Sequence, residues 1–268
     1  MAEPTFALIY HDVVDRDERD RVGFPGPAAG IYKLERAHFR AHLDAIAATD
    51  VCWGDDRAER PRALLTFDDG GASSPWIGQQ LERRGWRGAF FIVTSRIGTP
   101  GFMDAAAIRA LAERGHQIGS HSHTHPRLMA RLGRGELDDE WRTSRERLTE
   151  LLGEPPPGAA VPGGSVSADV VAAVSAAGYE YLLTSTPWAR ARRQAGITVL
   201  GRNTIWARDS PELAAALVRG DRGARARRWL SWQTKSAAKR LAPGAYETLR
   251  HARVSGLAAA RNETSRAV

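Results

Sequence analysis

The chain is 268 residues long, room for one large domain or for one domain with a small appendage. Apolar residues make up 43% and charged residues 26%, with a mean hydropathy of −0.38, which excludes both wholesale disorder and a polytopic membrane protein. A single cysteine, Cys52, closes no intramolecular disulfide and builds no thiolate cluster, so any metal must be held by His, Asp or Glu.

Short apolar runs alternate with helical patterns. Phe6–Tyr10 reads as a strand and Arg36–Ala48 as a helix with Phe39, Leu43 and Ile46 on one face. There follow strand Ala63–Phe67, helix Pro75–Arg84, strand Ala89–Thr94 and helix Asp104–Arg114. Strand Gln117–Gly119, helix Gly135–Leu152, strand Ala159–Val161, helix Ala168–Ala177, and strands Tyr181–Thr184 and Ile197–Leu200 complete the series. Asp104 and Ser167 stand where N-caps belong, and Gly85, Gly115 and Gly178 where helices end. Repeated strand–helix units predict a parallel sheet. Without a dinucleotide-type glycine fingerprint, they favour an α/β barrel, whose functional residues gather at the carboxyl ends of the strands.

The charge is lopsided. Of a net +7, residues 207–268 hold 13 Lys/Arg against 5 Asp/Glu, so the predicted division is a barrel over 1–206 and a basic helical extension over 207–268. No helix-turn-helix, zinc-finger or aromatic RNA-binding pattern accompanies that charge, so nucleic acid is not the expected partner. Arginines interleaved with Trp229, Leu230 and Trp232 suit either an anionic membrane surface or packing on the barrel. The N-terminal run is too short for a signal or anchor, so the expected location is the cytoplasm or its membrane face.

Two motifs carry chemistry. Asp68-Asp69-Gly70-Gly71 puts two carboxylates side by side just past a strand, where they repel unless a proton or cation intervenes. Ser120-His121-Ser122-His123-Thr124-His125-Pro126 places three histidines in five residues. A helical turn would aim His121 and His125 at one ion, leaving His123 pointing away. With one carboxylate they leave a coordination position open, the catalytic form of a zinc-type site. His38, His42, His116 and His251 read as structural.

Thr66-Phe-Asp-Asp-Gly70 and His121-Ser-His-Thr-His125-Pro126 resemble the first two motifs of the polysaccharide deacetylases, the NodB-homology carbohydrate esterases. That resemblance implies a deformed (β/α) barrel of about seven parallel strands, one divalent metal ion, usually zinc, and hydrolytic removal of N-acetyl groups from an amino-sugar glycan. Carried over by position, Asp68 is the general base, and Asp69, His121 and His125 are the metal ligands. The third motif is altered, with Ala160 where the family has arginine, although Pro162 and Gly164 are kept. Arg202 is the candidate replacement, contacting base or substrate, and Gly163 offers a backbone N–H to the oxyanion. Leu8-Ile9-Tyr10-His11 resembles the fifth motif moved to the N-terminus, as in the circularly permuted exopolysaccharide and poly-N-acetylglucosamine deacetylases, which makes His11 the expected general acid. The alternatives are a deformylase or amidase acting on another acylated amino sugar, and a carbohydrate-binding relative without hydrolytic activity.

Overall fold

The computed structural model describes residues 6–49, 52–53, 62–187 and 191–241. Its strands are β1 (Phe6–Tyr10), β2 (Cys52–Trp53), β3 (Arg62–Phe67), β4 (Ala89–Ile92), β5 (Gln117–Ser120), β6 (Gly158–Ala160), β7 (Tyr181–Thr184), β8 (Arg192–Gln194), β9 (Ile197–Gly201) and β10 (Asn203–Thr204). Its helices are α1 (Pro27–Gly30), α2 (Arg36–Ala47), α3 (Ser74–Glu82), α4 (Ala105–Glu113), α5 (Arg134–Leu152), α6 (Ala168–Ala176), α7 (Pro211–Val218) and α8 (Arg222–Leu241). Asp104 caps α4 by accepting from the Ala107 N–H, and Ser167 caps α6 through the Val170 N–H.

The sheet runs β10-β1-β3-β4-β5-β6-β7-β9-β8, with β8 antiparallel to β9 and β2 lying off the main path beside β3. Its two ends meet through one stretch of chain. β9 pairs in parallel with β7, and after the single residue Arg202 the chain continues as β10, parallel to β1. Seven parallel positions thereby form the expected barrel, with its seam at the β9–β10 joint. The first and last barrel strands are neighbours, so a strand transferred between termini keeps its place beside the site.

Period-two alternation decides what faces inward. On β1, Leu8 and Tyr10 join the outer core under α2 and α7, which sends Ala7, Ile9 and then His11 to the interior. On β3, Leu65 and Phe67 join that outer core, so Leu64, Thr66 and then Asp68 face inward. The interior layer is filled by Ala89, Phe91, Ala160, Tyr181, Leu183 and Leu200. Phe91 occupies the space beside Gly119, where an added Cβ would lie 2.5 Å from the ring. A second outer core, including Trp141, Val170, Val174 and Leu182, seals α5 and α6 onto β6, β7 and β9.

The expected extension divides. Ala214, Leu217 and Val218 of α7, with Ala224 of α8, belong to the main core, because their apolar stripe covers the outside of β1. Arg225 lies over the Phe6 ring, and Arg228 pairs with buried Asp209 and lies over Trp206. Arg225 and Arg228 are thus turned toward the barrel, while Trp229 and Leu230 are exposed. The side chains of Lys235, Lys239, Arg240 and Leu241, and all of 242–268 including His251, lie outside the described residues. Among the described residues no helix is long and apolar enough to cross a membrane.

His42 is buried at this α2–β1–α7 junction. It accepts from the Tyr10 hydroxyl at 3.2 Å and donates to the Asp209 carbonyl at 2.9 Å, and its neighbours His38 and Asp209 act on it electrostatically. Burial pushes its pKa down to about 4, so the fold holds it neutral. A depressed histidine gives stability that is complete above its unfolded value of about 6.5 and is lost as pH falls toward the folded value. From pH 7 to 4.5 this group is expected to cost about 2.5 kcal/mol. Urea unfolding at both pH values should show the loss shrinking by that amount in His42→Gln; an equal loss in both proteins would refute it.

Candidate metal centre

The site lies at the carboxyl ends of β1, β3 and β5. Tyr10 pairs with Phe67 across β1 and β3, and the Asp68 N–H donates to the Tyr10 carbonyl at 3.0 Å, so His11 and Asp68 are adjacent at one level of the rim. Asp69 would point outward if β3 simply continued. Instead it adopts φ 79, a conformation unusual for a residue with a side chain, and is turned to the rim. The His121 N–H donates to the Ile92 carbonyl at 2.8 Å, which extends β5 by one residue and keeps His121 inside.

Asp69, His121 and His125 offer ligand atoms that all lie within 4.8 Å of one another. The Nε2 atoms of His121 and His125 stand 3.5 and 3.4 Å from Asp69 Oδ1. Ligands about 2.1 Å from a tetrahedral ion are about 3.4 Å apart, so the group fits a small divalent cation. His121 Nδ1–H donates to the Ala160 carbonyl at 2.8 Å, which leaves the Nε2 lone pair directed at the site. The expected helical turn does not bring the histidines together. Ser122 at φ 63 and His125 at φ 64 form a left-handed loop, pinned by the Ser122 hydroxyl accepting from the His125 N–H at 3.1 Å. Three non-glycine residues at positive φ around one donor set mark a backbone held for its side chains. His123 points away and meets Thr94 Oγ1 at 3.0 Å.

The electrostatics suit a cation. Burial raises Asp69 well above the usual carboxylate range, and the charges of Asp68 and Asp12 raise it further. Burial pushes His125 down to about 3, with the neighbouring imidazoles adding to the effect, so the ring is held neutral. Asp68 behaves in the opposite way. Arg202 donates to its two oxygens at 2.8 and 2.9 Å, and this counterion outweighs burial and holds the carboxyl at about 2. Arg202 is itself buried, donates also to Thr66 Oγ1 and the Thr184 carbonyl, and lies over the Phe91 ring. Position 160 is alanine, and an arginine enters the same interior from the β9–β10 joint to pair with Asp68.

His11 stacks on Tyr32 with ring centroids 4.8 Å apart. Its Nδ1 is buried without a hydrogen-bond partner, and burial pushes the imidazole down to about 4. Gly163, at φ 59 in the turn after β6, packs against the loop that follows His125: a Cβ there would meet the Arg127 carbonyl oxygen at 2.9 Å. Sequence reasoning missed Tyr32, Lys33 and Phe24. Lys33 carried a signal, being one of three lysines in an arginine-rich chain.

The protein is a parallel α/β barrel with an Asp–His–His donor set at its rim. Residues 55–182 match the family model described as polysaccharide deacetylase. The chain is 41% identical over 70 residues to the peptidoglycan-N-acetylglucosamine deacetylase PgdA of Listeria monocytogenes, a match covering 25% of this chain and 14% of that protein. The fold is similar to that of BC0361, a polysaccharide deacetylase from Bacillus cereus, with a TM-score of 0.66, 19% identity, and coverage of 80% of this chain and 68% of that one. It is likewise similar to IcaB from Ammonifex degensii, with a TM-score of 0.65, 18% identity, and coverage of 80% and 96%. The chain spans about a seventh of PgdA's length.

Proposed function

We propose that the protein is a metal-dependent N-deacetylase acting on amino sugars of a glycan, with zinc as the metal. The observation that carries this reading is the pairing of Asp68 with Arg202 directly beside a complete donor set. Two imidazoles and one carboxylate suit zinc better than magnesium or calcium, which prefer all-oxygen shells. Asp69, His121 and His125 would hold such an ion, which would supply polarisation of an acyl oxygen and a more acidic water. Asp68, ionised and aimed by Arg202, orients the attacking water and receives its proton. His11 is neutral at rest. Asp68 gives up the proton it took from the water to His11, and His11 delivers it to the departing amine nitrogen, since an amine leaves readily only when protonated. The Gly163 N–H donates to the acyl oxygen as negative charge develops there. The acyl carbon gains a hydroxyl and loses nitrogen, giving acetate and a free amino sugar.

Acetate release from N-acetylglucosamine oligomers, measured on chelator-stripped protein with zinc added back, tests this reading. The expected result is metal-dependent release that falls at least about 100-fold in Asp68→Asn. Wild-type turnover of N-formyl but not N-acetyl sugars would favour the deformylase alternative, and glycan binding without hydrolysis would favour the binding relative.

A further inference from the structure

Where the chain leaves β5 and carries its histidines across the rim, the main-chain N–H groups must find new partners. From Ser122 to His125, four successive N–H groups donate to side-chain oxygens. Ser122 donates to Ser120 Oγ and His125 to Ser122 Oγ, each at 3.1 Å, so these two acceptors belong to the motif itself. The two groups between them, of His123 and Thr124, converge on one oxygen, Oε2 of Glu140, at 2.9 and 2.8 Å. The Thr124 hydroxyl donates to the other oxygen of that carboxylate. The loop's carbonyls are held separately, those of Ser122 and His123 accepting from the Thr94 and Ser95 N–H groups at 3.2 and 2.9 Å.

Glu140 stands on α5, one turn before Ser144, so the two side chains share a face of that helix. Ser144 Oγ meets Ser120 Oγ at 2.5 Å, and a single helical turn thereby reaches both the end of β5 and the loop beyond it. Successive N–H groups beside a left-handed residue form the concavity that binds anions. Ser122, at φ 63, is such a residue, and here the anion is a carboxylate of the same chain, whose bonds offset the strain of that conformation. On the far side, the Phe24 ring lies 4.8 Å from that of His125, and the Phe24 carbonyl accepts from the buried Lys33 ammonium at 2.7 Å. That contact steadies the imidazole ring, whereas the path of the backbone depends on Glu140.

We propose that Glu140 is a positioning residue for the metal centre: its carboxylate fills the concave turn after Ser122 and so sets His125 at ligand spacing from Asp69 and His121. The proposal rests on the reading of those three residues as metal ligands. His121 continues the β5 ladder and is placed by the sheet, whereas His125 is placed by the turn. Two N–H groups meeting at one oxygen set a requirement of length. An amide of the same length still accepts both of them, but a carboxylate shorter by one methylene falls short. A charge acting on the cation from a distance would impose the opposite order.

The test is the zinc affinity of the full chain, measured by competition with a chelating dye, together with hydrogen exchange at the His123 and Thr124 amides of the metal-free protein. Glu140→Ala should bind zinc about 10–100-fold more weakly than the wild type, the cost of losing a group that orients a ligand. Glu140→Gln, which keeps the reach, should recover more of that affinity than Glu140→Asp, which keeps the charge. In metal-free Glu140→Ala the two amides should exchange faster than in the wild type. Glu146→Ala, which breaks an exposed pair with Arg142 on the same helix, should match the wild type in both measurements. Unchanged zinc affinity in Glu140→Ala, an equal fall in Glu146→Ala, or tighter binding by Glu140→Asp than by Glu140→Gln would overturn the proposal. Zinc bound by the wild type without acetate release would sink the deacetylase reading and leave Glu140 in its role. A wild type that binds no zinc would sink the metal reading, and the two amides would then decide whether Glu140 holds the loop: protection lost in Glu140→Ala supports it, and protection unchanged overturns it.

Discussion

Arg202→Met is expected to abolish turnover and to destabilise the fold, with the three metal ligands still in place. The substitution leaves the Asp68 carboxylate buried in the barrel without its two charge-assisted bonds and also removes the donors to Thr66 and Thr184. Breaking one side of a buried ion pair costs about 3–5 kcal/mol, because the remaining charge keeps its desolvation penalty and loses its compensation. Asp68 then moves up from about 2, since the guanidinium was what outweighed burial. A carboxyl that is partly protonated and free to rotate neither orients water nor accepts its proton, so kcat should fall at least about 100-fold. Arg202→Lys supplies a charge without the fork and should recover only part of either loss. Urea unfolding, bound-metal content and initial rates, measured on one preparation, separate the effects. Full activity in Arg202→Met would remove Asp68 from its assigned role.

His125→Ala should empty the metal site. Loss of a residue that merely orients a ligand costs about 10–100-fold in metal affinity, and loss of the ligand itself should exceed that. The backbone offers a second reading of the same position. Because His125 sits at φ 64, His125→Gly should unfold at a higher urea concentration than His125→Ala, by about 1 kcal/mol, since both lose the imidazole and only glycine takes that conformation without strain. Zinc titration against a chelating dye, run with unfolding curves of both variants, checks the pair. Unchanged metal affinity in either would refute the ligand set.

What was legible in the sequence follows from local physics. The apolar runs Phe6–Tyr10 and Ala63–Phe67 marked strands, and His11 and Asp68 stood just past their carboxyl ends; that both face the interior is seen only in the paired strands. His121 and His125 were legible as a pair from their spacing, whereas the choice of Asp69 rather than Asp68 to join them came from the motif resemblance. The means of convergence was not legible: a spacing of four suggested a helical turn, whereas positive φ at Ser122 and His125 does the work, and those residue types do not announce that conformation. Arg202 could be nominated but not placed, since its partner lies 134 residues earlier and only closure of the barrel brings them together. Phe24 was invisible for a similar reason, because its position depends on a lysine whose acceptors are main-chain carbonyls.

The joint between β9 and β10 divides the chemistry by location. The Asp–His–His donor set follows β3 and β5, in the middle of the chain, whereas His11, assigned the proton transfer in the proposed mechanism, and Arg202, which pairs with Asp68, flank the two strands that meet where the ring is sealed, Leu8 beside Asn203. If the proposed mechanism holds, any event that unzips those strands, whether a nick, a bound antibody or a nearby substitution, would remove both groups together and silence turnover while leaving the donor set, and with it ion binding, in place.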